Sequence, residues 1–392
     1  MTVAAVLLWI DNMDIGLANG LRNRLAEARS NSNNELGKIY VSTTFFSIAL
    51  IMVASIIVMG LLYNVLDFYA ILNIDHETCP DLSAAFALAI VITGVTFIFK
   101  ISSNVYLALQ LPAVSNLILA LSHTATLIGV LALRLLGSSS LTSVAIAYTL
   151  SPLLVNIVAF IYTFGFRYPE LCPSVKTFRL GYLGDLLTLG IKFFLLQMAS
   201  VVLFMSSSFV VSSLLSPESV TPYQVAYRYF SLALIVFSII ITPFWSATTD
   251  AFAKGDYSWI RNTRKKFRYI ILMMAFLLLS MLLISKYAFL YWVGEEISIP
   301  LELSTYMSCY LLLIMYSQTY SFFLNGMGAL NIQLIVAVLA AIVYIPLARL
   351  MCSHFGLPGV CMSLIVVNLP GAIINLLQFN CIIGKKTIAH GK

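Results

Sequence analysis

Ten long apolar runs follow one another between Tyr40 and Ile383, at approximately 40–63, 82–106, 112–135, 141–164, 183–214, 223–248, 269–292, 301–326, 330–351 and 357–383. A helix needs about 20 consecutive apolar residues to cross the hydrocarbon core of a bilayer. The connections are short and mostly contain Gly, Pro, Asn or Ser, as turns between antiparallel helices should. The runs therefore predict an all-α polytopic membrane protein, with no separate soluble domain between its spans. Composition agrees. With 60% hydrophobic and 10% charged residues and a mean hydropathy of +0.96, the chain has too few polar side chains to cover a water-facing surface.

The charges fix an orientation. Sixteen of the 22 Lys and Arg residues lie in alternate gaps between the runs or in the tail. Asp67, Asp75, Glu77, Asp81, Glu218, Glu295, Glu296 and Glu302 lie in or beside the intervening gaps. Lys- and Arg-rich loops are retained on the cytoplasmic side. Arg22, Arg24, Arg29 and Lys38 thus place the 22–38 segment inside. The clusters Arg167 to Arg179 and Lys254 to Arg268 mark two further inside loops. An even number of spans later, Lys385, Lys386 and Lys392 place the C-terminus inside as well. The net charge of +6 does not point to nucleic acid, because the basic residues sit at membrane boundaries. The six cysteines and four histidines are scattered without metal-ligand or disulfide-framework spacing. No catalytic constellation, metal site or cofactor motif is expected.

Two further features concern organisation. Residues 1–10 are apolar for only about half a bilayer before Asp11 and Asp14, and they carry no basic start or small-residue cleavage site. Met1 to Gly20 reads as the inner half of a helix whose outer half would precede it. The stretch Leu25-Ala26-Glu27-Ala28 leads to Lys38 and a span, and Thr248-Thr249-Asp250-Ala251 leads through Lys254-Gly255-Asp256 to Arg261 and another. These sites are six spans apart, so the echo suggests a parallel repeat.

The segment from Asp14 to Ala28, including Asn19-Gly20-Leu21-Arg22-Asn23-Arg24, resembles the end of the second helix of bacterial polysaccharide flippases. A longer match comprises Val220-Thr-Pro-Tyr-Gln-Val-Ala-Tyr-Arg-Tyr-Phe230, Thr242-Pro-Phe-Trp-Ser-Ala247 and Ala251-Phe-Ala-Lys-Gly-Asp256. It resembles that family's eighth helix and following loop. These proteins are the O-antigen and capsule repeat-unit translocases of the multidrug/oligosaccharidyl-lipid/polysaccharide exporter superfamily. The resemblance implies two six-helix lobes around a central cavity, with the first helix and part of the second preceding residue 1. It divides this chain into an N-terminal lobe at 1–164, a cytoplasmic linker at 165–182 and a C-terminal lobe at 183–392. It also implies a bacterial inner-membrane transporter rather than an enzyme. Its substrate would be an oligosaccharide on undecaprenyl pyrophosphate, with membrane lipid and other polysaccharide-assembly membrane proteins as further partners. One departure is that Leu203-Phe-Met-Ser-Ser-Ser208 stands where an Asp or Asn after the Leu-Phe pair would be expected.

Such a substrate needs cations for its phosphates and hydrogen-bonding or aromatic surface for its sugars. Charges inside spans are expensive and face a cavity or a partner, so the embedded cations are the substrate-binding candidates. Lys192 lies about ten residues into its span. Its rival accounts are an internal ion pair or snorkelling to the inner surface. Arg22 and Arg24 offer planar forks suited to phosphate oxygens, against ordinary positive-inside anchoring. Arg228 could meet the head group on release or pair with Glu218. Lys100 lies towards the end of its span, where snorkelling competes with binding. Tyr306, Tyr310, Tyr316 and Tyr320 fall on one arc of the 301–326 helix. Tyr310 and Tyr320 are the candidates from this arc for stacking on sugars, with interhelical packing as the alternative. Pro152, Pro243, Pro346 and Pro370 would permit bending during alternating access. Asp14, Asp185 and Asp250 are the acids nearest a membrane cavity, and the coupling ion, proton or sodium, stays open. The rival functions are a drug/cation antiporter of the same superfamily, a flippase for the lipid-linked peptidoglycan precursor, and a membrane glycosyltransferase or polymerase. The antiporter would want an acidic cavity, and the last would want a large external loop with catalytic residues.

Overall fold

The computed structural model describes residues 16–62, 81–135, 137, 140–215, 217–294 and 297–390, and every regular element among them is helical. Asp14, the gap at 63–80 holding Asp67, Asp75, Glu77 and Cys79, and the pair Glu295 and Glu296 lie outside the described residues. In chain order the helices are α1 (Leu17–Ser30), α2 (Asn34–Leu62), α3 (Leu82–Phe99), α4 (Ile101–Ala108), α5 (Pro112–Leu135) and α6 (Leu141–Tyr162). They continue with α7 (Leu183–Leu214), α8 (Val220–Ala253), α9 (Tyr257–Val293), α10 (Leu301–Gly326), α11 (Asn331–Phe355) and α12 (Pro358–His390).

Nine of the ten expected spans coincide with helices long and apolar enough to cross a membrane. The tenth, α10, has 26 residues, which at ~1.5 Å per residue is long enough to cross a ~30 Å hydrocarbon core. Glu302, Gln318 and the four tyrosines dilute its hydropathy. Its inward face compensates through a strict four-residue repeat: Leu303, Met307, Leu311, Met315, Thr319 and Phe323 are all buried. That stripe makes α10 the hub of its surroundings, packed against α8, α9 and α12.

The chain divides into two compact units, Met1–Ile191 and Lys192–Lys392. In the first, α6 packs along α3 and α5, and α1 packs against α2 and α4. In the second, α12 packs along α10 and α11, and α8 lies against α9 and α10. Lipid tails are as apolar as leucine, so close packing and hydrogen bonds hold such helices together rather than water exclusion. Tyr344 illustrates the second kind of contact: its buried hydroxyl bonds to Ser207 Oγ at 2.8 Å. Thr249 Oγ1 likewise donates to the Gly326 carbonyl at 2.9 Å, joining α8 to α10.

Local departures from straight helices matter for the site. The run 82–106 is broken at Lys100 into α3 and α4, where Ser103 N–H bonds three residues back to the Lys100 carbonyl. Pro152, Pro243, Pro346 and Pro370 sit within α6, α8, α11 and α12, each removing one helical N–H donor. The 165–182 connection is pinned to α2. Ser42 Oγ accepts from Ser174 N–H at 3.1 Å and shares a bond with Thr177 Oγ1 at 2.7 Å, while Arg179 N–H donates to Thr43 Oγ1 at 3.3 Å. Ser42 and Thr43 are completely buried beneath it.

The turn from α8 to α9 is closed by Asp256. Its Oδ1 accepts from Trp259 N–H at 2.9 Å and from the Ser258 hydroxyl at 2.7 Å. This is the N-cap of α9, satisfying donors that the first helical turn leaves free. The Trp259 bond, with Ser258 adding to it, holds the Asp256 carboxyl below its ordinary value of 3.8. A lowered carboxylate value stabilises the fold above the ordinary value and loses that contribution as pH falls through the folded one. Asp256→Ala is therefore expected to lower the thermal midpoint at neutral pH. The gap from the parent protein should start to narrow as pH drops below that ordinary value and be gone once pH has fallen through the lowered one, which a set of melts in detergent across pH will check.

Candidate functional site

Six helices of the first unit enclose a cavity of about 400 Å³, within the ~300–1,000 Å³ range of small-ligand pockets. Its lining comes from α1 (Ala18), α2 (Ile48), α3 (Thr93, Thr96), α4 (Asn104), α5 (Asn116, His123) and α6 (Tyr148, Asn156), with Lys100 at the α3–α4 break. The break aims Lys100 into this space, and its ammonium sits 5.3 Å above the Phe97 ring centroid. On α6, Pro152 removes the N–H that would have bonded to the Tyr148 carbonyl. One turn later Asn156 returns its Nδ2–H to the Pro152 carbonyl at 2.8 Å. The other end of that amide, Asn156 Oδ1, is buried without a hydrogen-bond partner.

Half of the eight hydroxyls in the lining share one habit. Thr96, Ser122, Thr126 and Thr149 each donate to a carbonyl one turn back, at 2.8–2.9 Å. Their protons are spent on their own helices, so what they can offer a ligand is oxygen lone pairs. The cavity is consequently rich in neutral acceptors, with one ammonium, an imidazole, amide N–H groups and the hydroxyls of Thr93, Ser103, Ser115 and Tyr148 as donors. No carboxylate stands among its described lining residues. Such a surface can hydrogen-bond a polyhydroxylated molecule and balance a negative charge at Lys100.

A second polar cluster in the same unit is structural. Arg24 donates through Nη1 to Glu27 at 2.9 Å and through Nη2 to Asp185 Oδ1. The Tyr40 hydroxyl donates to Asp185 Oδ2 at 3.1 Å. The backbones beside it touch. A Cβ on Gly20 would stand 2.7 Å from the Leu186 carbonyl oxygen, and one on Gly16 would stand 1.8 Å from the Gly190 oxygen. Gly16 and Gly20 form the small-xxx-small spacing that lets two membrane helices approach at backbone distance, here α1 and the first turns of α7.

The expected site residues fall into separate places. Lys100 lines the cavity. Arg22 is buried on α1 and is partnered, and Arg24 is committed to its two carboxylates. Lys192 is half-buried on α7, with no ion pair to another described residue. Arg228 is exposed on α8, and Tyr310 is half-buried on α10. Tyr320 is buried against Tyr316, their ring centroids 5.2 Å apart. Of the acids weighed for ion coupling, Asp185 belongs to the Arg24 cluster and Asp250 is paired with Lys254 at 2.9 Å. Reasoning from charges alone overlooks Asn104, Asn116, His123 and Asn156. Each is a neutral polar residue inside an apolar run, and the cost of placing such a group in lipid is the signal that marks them.

No protein-family model matches the chain. A curated protein of Salmonella typhimurium (strain LT2), named "Putative O-antigen transporter", is 23% identical, the match covering 93% of this chain and 84% of that protein. The outward-facing conformation of a multidrug resistance MATE family transporter of the MOP superfamily superposes with a TM-score of 0.83 at 16% identity. That match covers 98% of this chain and 88% of the other. A MOP superfamily transporter from Pyrococcus furiosus, described as having a binding pocket of reverse polarity that suggests a different function, gives 0.82 at 15% identity, over 98% and 87%. The fold is that of the MATE transporters of the MOP superfamily.

Proposed function

We propose that this membrane protein, built on a transporter fold, flips undecaprenyl-pyrophosphate-linked oligosaccharide repeat units across the bacterial inner membrane for surface-polysaccharide synthesis. The observation that carries the reading is the polarity of the first-unit cavity, which has many neutral acceptors, one ammonium and no carboxylate among its described lining residues. Sugar hydroxyls are hydrogen-bond donors, and Asn156 Oδ1 is a buried acceptor awaiting one. Lys100 and Lys192 would balance phosphate charge, and Arg228 would meet the head group at an exposed position on α8. Tyr310 would supply aromatic surface. Movement would be by alternating access, with the 22–38 segment and the C-terminus cytoplasmic as the positive-inside pattern implies, and with no bond made or broken. The name of the Salmonella relative supports the same substrate class.

A second reading, cation or drug antiport, is favoured by the multidrug transporter among the structural matches. It is weakened by the cavity, because a cationic substrate entering a low-dielectric site wants a carboxylate there. The two readings separate in one strain. Cells lacking their own repeat-unit flippase are to be given this gene and assayed for surface glycan and for drug susceptibility. Restored glycan with unchanged susceptibility is expected. Lys100→Ala and Asn156→Leu should each cut the restored glycan about tenfold, equivalent to ~1.4 kcal/mol of lost binding or transition-state stabilisation. Raised drug resistance without glycan would overturn the proposal.

A further inference from the structure

The second unit carries a groove between α9 and α10 with a volume of about 250 Å³, lined by the polar Arg264, Arg268, Tyr316 and Tyr320 together with the apolar Phe267 and Ile271. The two arginines are one helical turn apart on α9, so their side chains project from one face. Arg264 is held in place from α12. Its Nη1 donates to Asn380 Oδ1 at 2.7 Å, and its guanidinium lies 5.9 Å from the Phe379 ring centroid. Its Nε–H is buried without a hydrogen-bond partner. Arg268 is exposed beside it. The first turns of α9 also carry Arg261, Lys265 and Lys266, and the whole helix contains no Asp or Glu.

From the basic end the same helix continues as an apolar stripe. Leu272, Phe276, Leu279 and Leu283 recur at helical spacing and are 66%, 72%, 53% and 73% exposed. A fixed cationic head and an uncovered apolar track on one helix face together have the form of an amphiphile's binding site. The geometry points to a docking site for an anionic glycerophospholipid, its phosphate between Arg264 and Arg268 and an acyl chain along Leu272 to Leu283. Arg presents planar donors that fork onto phosphate oxygens, and basic pockets between membrane helices favour anionic over zwitterionic head groups. The inference concerns the lipid around the protein and stands whatever cargo the protein carries.

Native mass spectrometry of the full chain, released from detergent containing equal phosphatidylglycerol and phosphatidylethanolamine, tests it. The parent protein should retain phosphatidylglycerol preferentially. Arg264→Gln with Arg268→Gln should lower that retention about tenfold, as expected for loss of a charge-assisted phosphate contact. Arg268→Gln alone leaves the Asn380 bond intact, so it tests the site in a protein whose packing is undisturbed, and it should lower retention in the same direction. Arg261→Gln with Lys265→Gln removes as much charge outside the groove and should leave retention near the parent level. An equal drop in that control would reduce the effect to diffuse surface charge and sink the proposal. So would unchanged retention in both groove variants, or retention of a polyprenyl phosphate in place of phosphatidylglycerol.

Discussion

Gly20→Leu is expected to destabilise the first unit by about 3 kcal/mol, the upper part of the range for overpacking a tight contact. The leucine Cβ would lie 2.7 Å from the Leu186 carbonyl oxygen, a backbone atom that no rotamer change can move. Relief requires α1 and α7 to separate. In a bilayer no water-driven force restores their association, because separated faces are simply covered by lipid. Even Gly20→Ala meets that oxygen, so a graded series from alanine to leucine should show most of the loss at the first step. Gly184 supplies the internal control. It also lies on α7, but a Cβ there meets nothing within 4 Å, so Gly184→Leu should melt like the parent. Size-exclusion profiles of detergent-solubilised protein after graded heating would show the difference. A Gly20→Leu protein as stable as Gly184→Leu would mean that the two backbones are not in contact.

Asp185→Ala should cost about 2 kcal/mol, below the usual 3–5 kcal/mol for breaking a buried pair because both partners keep some solvent contact. The side chains are 29% and 39% exposed for Arg24 and Asp185, so water recovers part of the loss. Removing the carboxylate leaves Arg24 Nη2 without its acceptor, beside an Nε–H already buried without a partner, and deprives the Tyr40 hydroxyl of its acceptor. Because Arg24 keeps Glu27 as a second partner, Arg24→Ala removes more than Asp185→Ala does. A double-mutant cycle should give a coupling of about 1 kcal/mol between positions 24 and 185. Additive effects would show that the pair contributes nothing as a pair.

These two contacts mark the limit of what the sequence could tell. The number, length and alternation of the helices follow from local hydropathy and from where Lys and Arg fall. Local signals also suffice to find α10, because its tyrosines and glutamate still leave a continuous run of helical length. They do not specify which helix faces which. Arg24 and Asp185 are 161 positions apart, and nothing near either one names the other. From sequence Arg24 looked available for phosphate, whereas the folded chain engages it with two carboxylates. For Lys100 the sequence left snorkelling and binding in competition, because its place near the end of a span suits either. The structure places it in the cavity wall, at the break between α3 and α4. The basic run from Lys254 to Arg268 was legible only as a topology marker. That Arg264 and Arg268 adjoin Tyr316 and Tyr320 depends on the register between α9 and α10, a tertiary quantity. The cavity's amides were overlooked for a different reason. An asparagine in an apolar run carries no charge to attract attention, although its burial cost is the same kind of clue.

The composition of α10 has a consequence for how the protein is made. Insertion into the bilayer is decided largely by each segment's own apolarity as it leaves the ribosome, and central polar residues oppose it. Leu303, Met307, Leu311, Met315 and Phe323 favour entry, but Gln318, Thr319 and the tyrosines subtract from it. The segment most enclosed by α8, α9 and α12 in the finished fold is thus the one with the weakest individual claim on the membrane. Its integration has to draw on helices already there, α8 and α9 before it, and becomes secure only when α12 arrives. Biogenesis of the second unit is therefore cooperative. In a nascent chain ending just after α10, that last segment should sit less firmly in the bilayer than α9 does in a chain ending after α9.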